Sequence, residues 1–572
     1  MRHGGSIIAE TLQQHDVEFI FTLCGGHISP ILVACREKGI RVIDVRHEAT
    51  AVFAADAMAR LSGNVGIAAV TAGPGLTNTI TAIKNAQMAQ VPVLILGGAT
   101  ATILKGRGSL QDIDHLALVK SITKLAVSIK RVKDIQPTLE EAILTANSCL
   151  PGPVYVEIPV DILYSENLVR EWYGLKSDSR SMPWWLIRYI NWNVNRIFKD
   201  KNKKLLKSDY VESIKPASIY IEKIRKLISD SQKPIMLIGS QAMKTPEQME
   251  SLSEAVEILN IPTFVSGMAR GLLSNPELPI YRHARKQSLL DADLVILAGV
   301  PCDFRLDYGR HIKKETTIVS INLSRGDLYL NRKPTQGILE DPSPFIINLS
   351  QISGQNDWAS WHKILKDRNQ QRNNEIEALS KEKTKFINPL KICMAINQYI
   401  QDGDIIVADG GDFVATASYI LRPRSLSGWL DPGVFGTLGV GAGFILGAQL
   451  VHSEAVIWAI YGDGAFGYSL MEFDTFVRHK IPVIAIIGND AGWTQIARDQ
   501  VEIFKDPVAT ELGYTNYHEV IDKLGGVGYE ISENDDINDV IIEAKKNAKL
   551  GKSVLINVKI GKTDFRKGSI SV

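Results

Sequence analysis

The 572-residue chain is notable first for what it lacks. No apolar stretch reaches the roughly 18 residues of a spanning helix, and Met1-Arg2-His3-Gly4-Gly5 leads into a domain without a signal-peptide core. The five cysteines (Cys24, Cys35, Cys149, Cys302, Cys393) are odd in number, widely spaced and form no C-x-x-C pair. That excludes a disulfide framework and a zinc ribbon, and reduced thiols facing the cytosol are expected. An excess of charge of one sign is missing too: 64 Lys and Arg stand against 63 Asp and Glu, so nucleic-acid binding by bulk charge is excluded. No short-period repeat is visible. With 45% hydrophobic residues the composition is that of an ordinary globular protein, long enough for two to four domains.

Short β-branched runs alternate with helical patterns from about residue 5 to 165, at Val17 to Thr22, Arg41 to Val45, Val65 to Val70, Pro92 to Leu96 and Val154 to Ile158. Apolar strands separated by helices predict a parallel sheet covered on both faces. The alternation is lost over 166–215 and returns over 216–350, with strands at Pro234 to Ile238, Thr263 to Val265, Leu294 to Ala298 and Thr317 to Asn322. A charged helical connector fills 351–387. From 388 to 572 strands recur near Ile405 to Ala408, Val456 to Ile460, Val483 to Ile487 and Ser553 to Val558. The expectation is α/β: three doubly wound parallel-sheet domains.

The linker holds one unusual segment, 183–204, reading PWWLIRYINWNVNRIFKDKNKK. At 100° per residue Leu186, Ile187, Ile190, Val194, Ile197 and Phe198 share an arc of about 120°, with Arg188, Asn195 and Lys199 opposite. Trp184, Trp185 and Trp192 and six basic residues against one acidic suit a helix lying on a membrane surface. A helix packed on its own protein has the same pattern.

The chemistry concentrates in the third region. The strand AVIWAIY runs into Gly462-Asp463-Gly464-Ala465, and the next strand runs into Gly488-Asn489-Asp490-Ala491-Gly492-Trp493. Carboxyl ends of parallel strands are where α/β sheets bind ligands, and glycines there admit a diphosphate. Asp463 and Asp490 can supply hard oxygen ligands to Mg²⁺, with Asn489 the next candidate and a backbone carbonyl near Gly492.

This arrangement resembles the signature of the thiamine-diphosphate (ThDP) enzymes, Gly-Asp-Gly followed some 25 to 30 residues later by Asn-Asn; the second Asn falls on Asp490 here. Val45-Arg46-His47-Glu48-Ala49 matches the place of the glutamate that hydrogen-bonds N1′ of the cofactor's pyrimidine in that family. Thr71 to Asn78 resembles the family's Gly-Pro-Gly turn, so Gly73 and Asn78 are cofactor-binding candidates. Thr437 and Leu438 occupy the segment whose bulky residue wedges the cofactor into its bent shape. Gly411, Asp412 and Phe413 lie in a turn similar to one that helps hold the diphosphate, and Trp493 is placed to wall the pocket.

Longer runs, such as RHEATAVFAADAMARLSG and LDPGVFGTLGVGAGF, resemble the branch of the family that cleaves 2-hydroxyacyl-CoA, from Arg2 to Val572. The resemblance implies a lyase giving formyl-CoA and an aldehyde one carbon shorter, as in fatty acid α-oxidation. Such a reaction requires a base beside the 2-hydroxyl, for which His27 in Gly25-Gly26-His27-Ile28 is the candidate. Gln111 stands where related enzymes hydrogen-bond the reacting species. Arg270, Arg282, Arg285, Lys286, Arg305 and Arg310 are candidates to meet the phosphates of CoA. The resemblance further implies a homodimer or homotetramer with active sites between subunits, and leaves open whether the central domain holds FAD or ADP. It places relatives on the cytosolic face of the endoplasmic reticulum through an amino-terminal anchor; the expectation here is the same membrane, reached through an anchor outside this sequence or through 183–204, and the cytoplasm if the chain is complete and unanchored. Acetolactate synthase is the alternative, but its Met-Val-x-Gln-Trp run is replaced by Trp493-Thr494-Gln495-Ile496-Ala497. A membrane-associated scaffold without catalysis is the alternative of another class.

Overall fold

The computed structural model describes residues 3–175, 182–199, 218–351, 357–532 and 537–567. Among the described residues, seventeen strands are arranged in three sheets, and the strand pairs within them are parallel. Two compact units result. One comprises Met1–Glu212 with Gly433–Thr437 and Ala442–Gly447; the other comprises Ser213–Pro432, Leu438–Gly441 and Ala448–Val572. The second and third sheets fall in the same unit.

The first unit is built on β1 (Phe19–Thr22), β2 (Arg41–Asp44), β3 (Gly66–Val70), β4 (Val93–Ala99), β5 (Leu125–Ser128) and β6 (Val154–Pro159), in the order β2-β1-β3-β4-β6-β5. β3, β4 and β6 are buried along their whole length, which is why they read as unbroken apolar runs. Each parallel connection requires a crossover, and the helices at Ser29–Glu37, Glu48–Ser62 and Ile80–Ala89 supply it. The helix Glu48–Ser62 is alanine-rich and almost wholly buried. Its Arg60 and Asp56 form a buried ion pair at 2.6 Å, and Asn85 donates to the same carboxylate at 2.9 Å, so neither charge is left uncompensated.

The helix Trp184–Phe198 corrects one expectation. Ile190, Val194, Ile197 and Phe198 are buried in the core of the first unit, with Leu186 packed against it. The aliphatic arc therefore faces protein rather than lipid. Trp184, Trp185 and Trp192 point outward. Residues 200–204 of the basic segment lie outside the described residues.

In the second unit β7 (Pro234–Ile238), β8 (Thr263–Val265), β9 (Leu294–Ala298), β10 (Thr317–Ile321) and β11 (Gln336–Ile338) form a sheet ordered β11-β10-β9-β7-β8. A 22-residue helix, Ala359–Ser380, lies within the predicted connector and is tied to the start of β7: the Trp358 indole, at the helix N-cap, donates to the Ser231 carbonyl and that of Trp361 to Pro234, each at 3.0 Å. The third sheet contains β12 (Ile405–Ala408), β13 (Trp429–Leu430), β14 (Ile457–Gly462), β15 (Val483–Asn489), β16 (Val527–Ile531) and β17 (Ser553–Lys559), in the order β13-β12-β14-β15-β17-β16. This repeats the topology of the first sheet. After β14 the chain makes two short helices, Asp463–Phe466 and Glu472–His479.

Candidate functional site

Two clusters of site residues form, each at the carboxyl ends of strands, where parallel sheets leave a crevice lined by loops. In the first unit the organising element is the turn Thr71–Asn78 after β3. Glu48 begins its helix directly after β2, where an acidic side chain favours the helix N-terminus. It is 7% exposed, and the Asn78 amide donates to its Oε2 at 2.9 Å. His27, after β1, has Nδ1 3.2 Å from the Thr71 hydroxyl. Burial, reinforced by the nearby His115, holds the His27 imidazole below its ordinary value, so the ring is neutral near pH 7. Its Nε2 has no partner among the described residues. Gln111 adopts a left-handed backbone (φ 62°) and lies against Gly73, where an added Cβ would come within 2.8 Å of Gln111 Cβ. Glu48, His27 and Gln111 thus converge on one turn.

That turn is held from behind by residues no sequence motif marks. The Gly73 amide donates to His115 Nε2 at 2.8 Å, which leaves the ring proton on Nδ1 to reach Glu157 Oε2 at 2.9 Å. Glu157, on β6, also accepts from Lys105 at 2.7 Å. Burial alone would raise this carboxyl, but hydrogen bonds from His115, Lys105 and Ser128 hold it down at about 2. His115 follows Gln111 by four residues, and only the fold reveals that it closes back on Gly73.

In the second unit Asp463 and Asp490 stand at the ends of β14 and β15. Both are buried, at 2% and 8% exposure. The Gly464 amide donates to Asp463 Oδ1 at 3.0 Å and that of Gly492 to Oδ2 at 3.1 Å. Burial first, and then the charge of Asp490, push Asp463 up to about 7 despite these bonds. Asp490 is raised as well, chiefly by burial, with Lys562 acting against it. Two buried carboxylates this short of countercharge fit a hard divalent cation. Asn489 differs from expectation: its amide donates to Asn557 Oδ1 at 3.2 Å and to the Thr515 carbonyl at 3.3 Å, and its Oδ1 accepts from Ala491 at 3.3 Å. These bonds brace the strand end and engage both polar atoms of the side chain.

The surrounding loops fit a diphosphate. Gly411 sits at φ 111°, a conformation closed to side-chain-bearing residues, opposite Gly462, whose amide donates to the Gly410 carbonyl at 3.2 Å. Asp412 Oδ2 accepts from Arg498 Nη2 at 2.8 Å, while Asp412 Oδ1 and Arg498 Nη1 are buried without partners among the described residues. Such orphaned polar atoms fit a polar ligand. The Trp493 ring lies over Gly464, where a Cβ would meet it at 2.6 Å. Ala465 is buried beneath the same turn, and Phe413 is buried against Gly488. Leu438 packs on Gly410, held by Asp409, whose carboxylate accepts from the amides of Gly439 at 2.9 Å and Gly441 at 2.7 Å. Thr437, beside it in sequence, is half-buried.

The arginines expected to meet phosphates are mostly committed elsewhere. Arg270 donates to the Ser418 carbonyl at 2.8 Å and stacks over Trp429. Arg282 donates to the carbonyls of Ile420 and Leu421, and Arg285 to that of Arg305. Arg305 pairs with Asp303 at 2.7 Å. Each guanidinium finds its acceptors within the unit, which corrects the expectation for Arg270, Arg285 and Arg305. Lys286 and Arg310 remain at the surface.

Three thiamine pyrophosphate enzyme profiles match the chain: the N-terminal TPP binding domain over residues 2–118, the central domain over 221–349 and the C-terminal TPP binding domain over 409–558. The chain is similar to 2-hydroxyacyl-CoA lyase 2 of Danio rerio, at 48% identity covering 100% of this chain and 94% of that protein. The corresponding human protein is 46% identical, covering 100% and 92%. An acetolactate synthase large subunit of Mycobacterium tuberculosis is 30% identical over 93% and 91%.

Proposed function

We propose, from the premise that this chain belongs to the thiamine pyrophosphate enzyme family, that it cleaves a 2-hydroxyacyl-CoA to formyl-CoA and an aldehyde one carbon shorter, a step of fatty acid α-oxidation. It is a thiamine-diphosphate-dependent lyase. The observation that carries the substrate reading is the convergence of Glu48, His27 and Gln111 on the Thr71–Asn78 turn, in a chain resembling 2-hydroxyacyl-CoA lyases over its full length.

Bound ThDP supplies a nucleophilic carbon and an electron sink for breaking the C1–C2 bond. Glu48, oriented by Asn78, would hold the proton shared with the pyrimidine nitrogen of bound ThDP. His27, neutral near pH 7 and steadied by Thr71, takes the 2-hydroxyl proton at Nε2. Gln111 hydrogen-bonds the oxygen of the reacting carbonyl. The pair His115–Glu157 holds the Gly73 amide, and with it the turn carrying these groups, in place. Asp463, Asp490 and the Gly492 carbonyl would hold Mg²⁺, and Gly411, Asp412 and Arg498 would line the diphosphate site.

We further propose a homo-oligomer whose active sites are completed by a second copy, and residence at the cytosolic face of the endoplasmic reticulum. No helix among the described residues is long and apolar enough to cross a membrane. Sedimentation checks the first: a fully active monomer contradicts it. Fractionation of cells expressing the chain checks the second, and recovery away from that membrane contradicts it.

The activity is tested by incubating the protein with ThDP and Mg²⁺, separately with a long-chain 2-hydroxyacyl-CoA and with pyruvate, and identifying products by mass spectrometry. Aldehyde plus formyl-CoA is expected. Acetolactate from pyruvate would establish the synthase reading, which the 30% identity to a synthase subunit favours and the sequence Trp493-Thr494-Gln495 after the second acidic turn opposes.

A further inference from the structure

The helix Trp184–Phe198 carries an outward face unlike that of an ordinary surface helix. Its aliphatic stripe is buried in its own unit. The opposite side shows Trp184 at 74% exposure, Trp185 at 59%, Tyr189 at 45% and Trp192 at 58%. At 100° per residue these four span an arc of about 140°, which also contains Arg188, Asn195 and Arg196. The helix has no acidic residue. Solvated helices normally place charge on this side, since indole rings are among the side chains least favourably left in water.

A second feature adjoins it. A cavity of about 400 Å³ is lined by Lys130, Arg131 and Arg196 together with Asp134 and Glu141. Arg131 is paired with Asp134 at 2.8 Å, so Lys130 and Arg196 face Glu141 with one positive charge in excess. Arg196 links the two features, its guanidinium lying 5.2 Å from the Trp192 ring.

We propose that this face docks the protein on an anionic lipid surface. The three indoles and the Tyr189 phenol sit at headgroup level, where an apolar ring and a polar N–H or O–H are both satisfied. Arg188 and the Arg196 cavity take lipid phosphates. The helix lies in the plane of the membrane without rolling into it, because its aliphatic side is already spent on the core. The proposal is independent of the activity assigned above.

The test is cosedimentation of the full chain with phosphatidylcholine vesicles, with and without phosphatidylserine. Binding to the phosphatidylserine vesicles is expected, weaker to phosphatidylcholine alone, and reduced at least about tenfold in the combined Trp184→Ser, Trp185→Ser, Trp192→Ser variant, whose turnover stays unchanged. Absence of wild-type binding, equal binding to both vesicle types, or a variant that binds as wild type overturns the proposal. So does a variant whose oligomeric state changes while its vesicle binding does not, which would make the face a protein interface. If the variant fails to fold by circular dichroism, wild-type tryptophan quenching by lipids brominated near the headgroup decides: quenching supports docking and its absence refutes it.

Discussion

Cofactor binding should depend on pH in a way set by Asp463. Its carboxyl, pushed up to about 7 by burial and by Asp490, is half protonated near neutrality in the cofactor-free protein, and Mg²⁺ must displace that proton. For a group protonated in the free state and ionised in the bound state, the apparent dissociation constant grows as pH falls through its pKa. From pH 8 to pH 6 the increase is about tenfold, or about 1.4 kcal/mol. A terminal phosphate with a second pKa of about 6 adds about twofold over the same range. A total of about twentyfold is therefore expected. ThDP titrations at a fixed Mg²⁺ concentration that leaves the cofactor-free protein unloaded, followed by near-ultraviolet circular dichroism from pH 6 to 8, measure it. Asp490→Asn removes the neighbouring charge, lowers the Asp463 midpoint and shrinks the ratio toward the cofactor's own twofold. A wild-type ratio of about two, or a ratio unmoved by Asp490→Asn, would refute the reasoning.

Glu48→Gln should cut turnover by about 10²- to 10⁴-fold while thermal unfolding stays within experimental scatter of wild type; appreciable residual activity removes Glu48 from the role given to it. His27→Ala should cost about 10²-fold in kcat with ThDP binding unchanged, and the acid limb of the wild-type rate profile should lie below 6.5, the ordinary histidine value. A wild-type rate in the variant would exclude His27 as the base. Glu157→Gln should destabilise the protein by about 3 kcal/mol at pH 7 in urea unfolding, because it removes the buried carboxylate that accepts from His115 and Lys105. Since Glu157 is held at about 2 against 4.5, its contribution is present above pH 4.5 and is lost as pH falls toward 2. Wild type and variant should therefore converge in stability over that interval.

Every interior strand is legible in the sequence, as are the edges β2 and β8. β3, β4, β7, β9, β14 and β15 are buried throughout, so their residues form unbroken apolar runs that pattern alone picks out. The four strands that the structure adds, β5, β11, β13 and β16, are all sheet edges. β5, β11 and β16 are mostly half-exposed, and β13 is two residues long, so neither alternation nor a continuous run betrays them. Asp463 and Asp490 are readable because they stand beside glycines at successive strand ends, and Glu48 only because the run Val45 to Ala49 resembles the family's. His115, Glu157 and Arg498 are not. Their partners are 42 or 86 residues away, and nothing local distinguishes them from ordinary polar residues. The arginines of the central sheet mislead for the opposite reason: an Arg at a strand end looks the same whether it meets a phosphate or a backbone carbonyl.

The central claim is that a C1–C2 bond is broken and the one-carbon fragment receives its hydrogen from a proton. The direct test is the reaction run in D₂O with a 2-hydroxyacyl-CoA bearing ordinary hydrogen at C2. Formyl-CoA carrying one deuterium, with an unlabelled aldehyde one carbon shorter, is the predicted result. Unlabelled formyl-CoA, or no aldehyde at all, would contradict it.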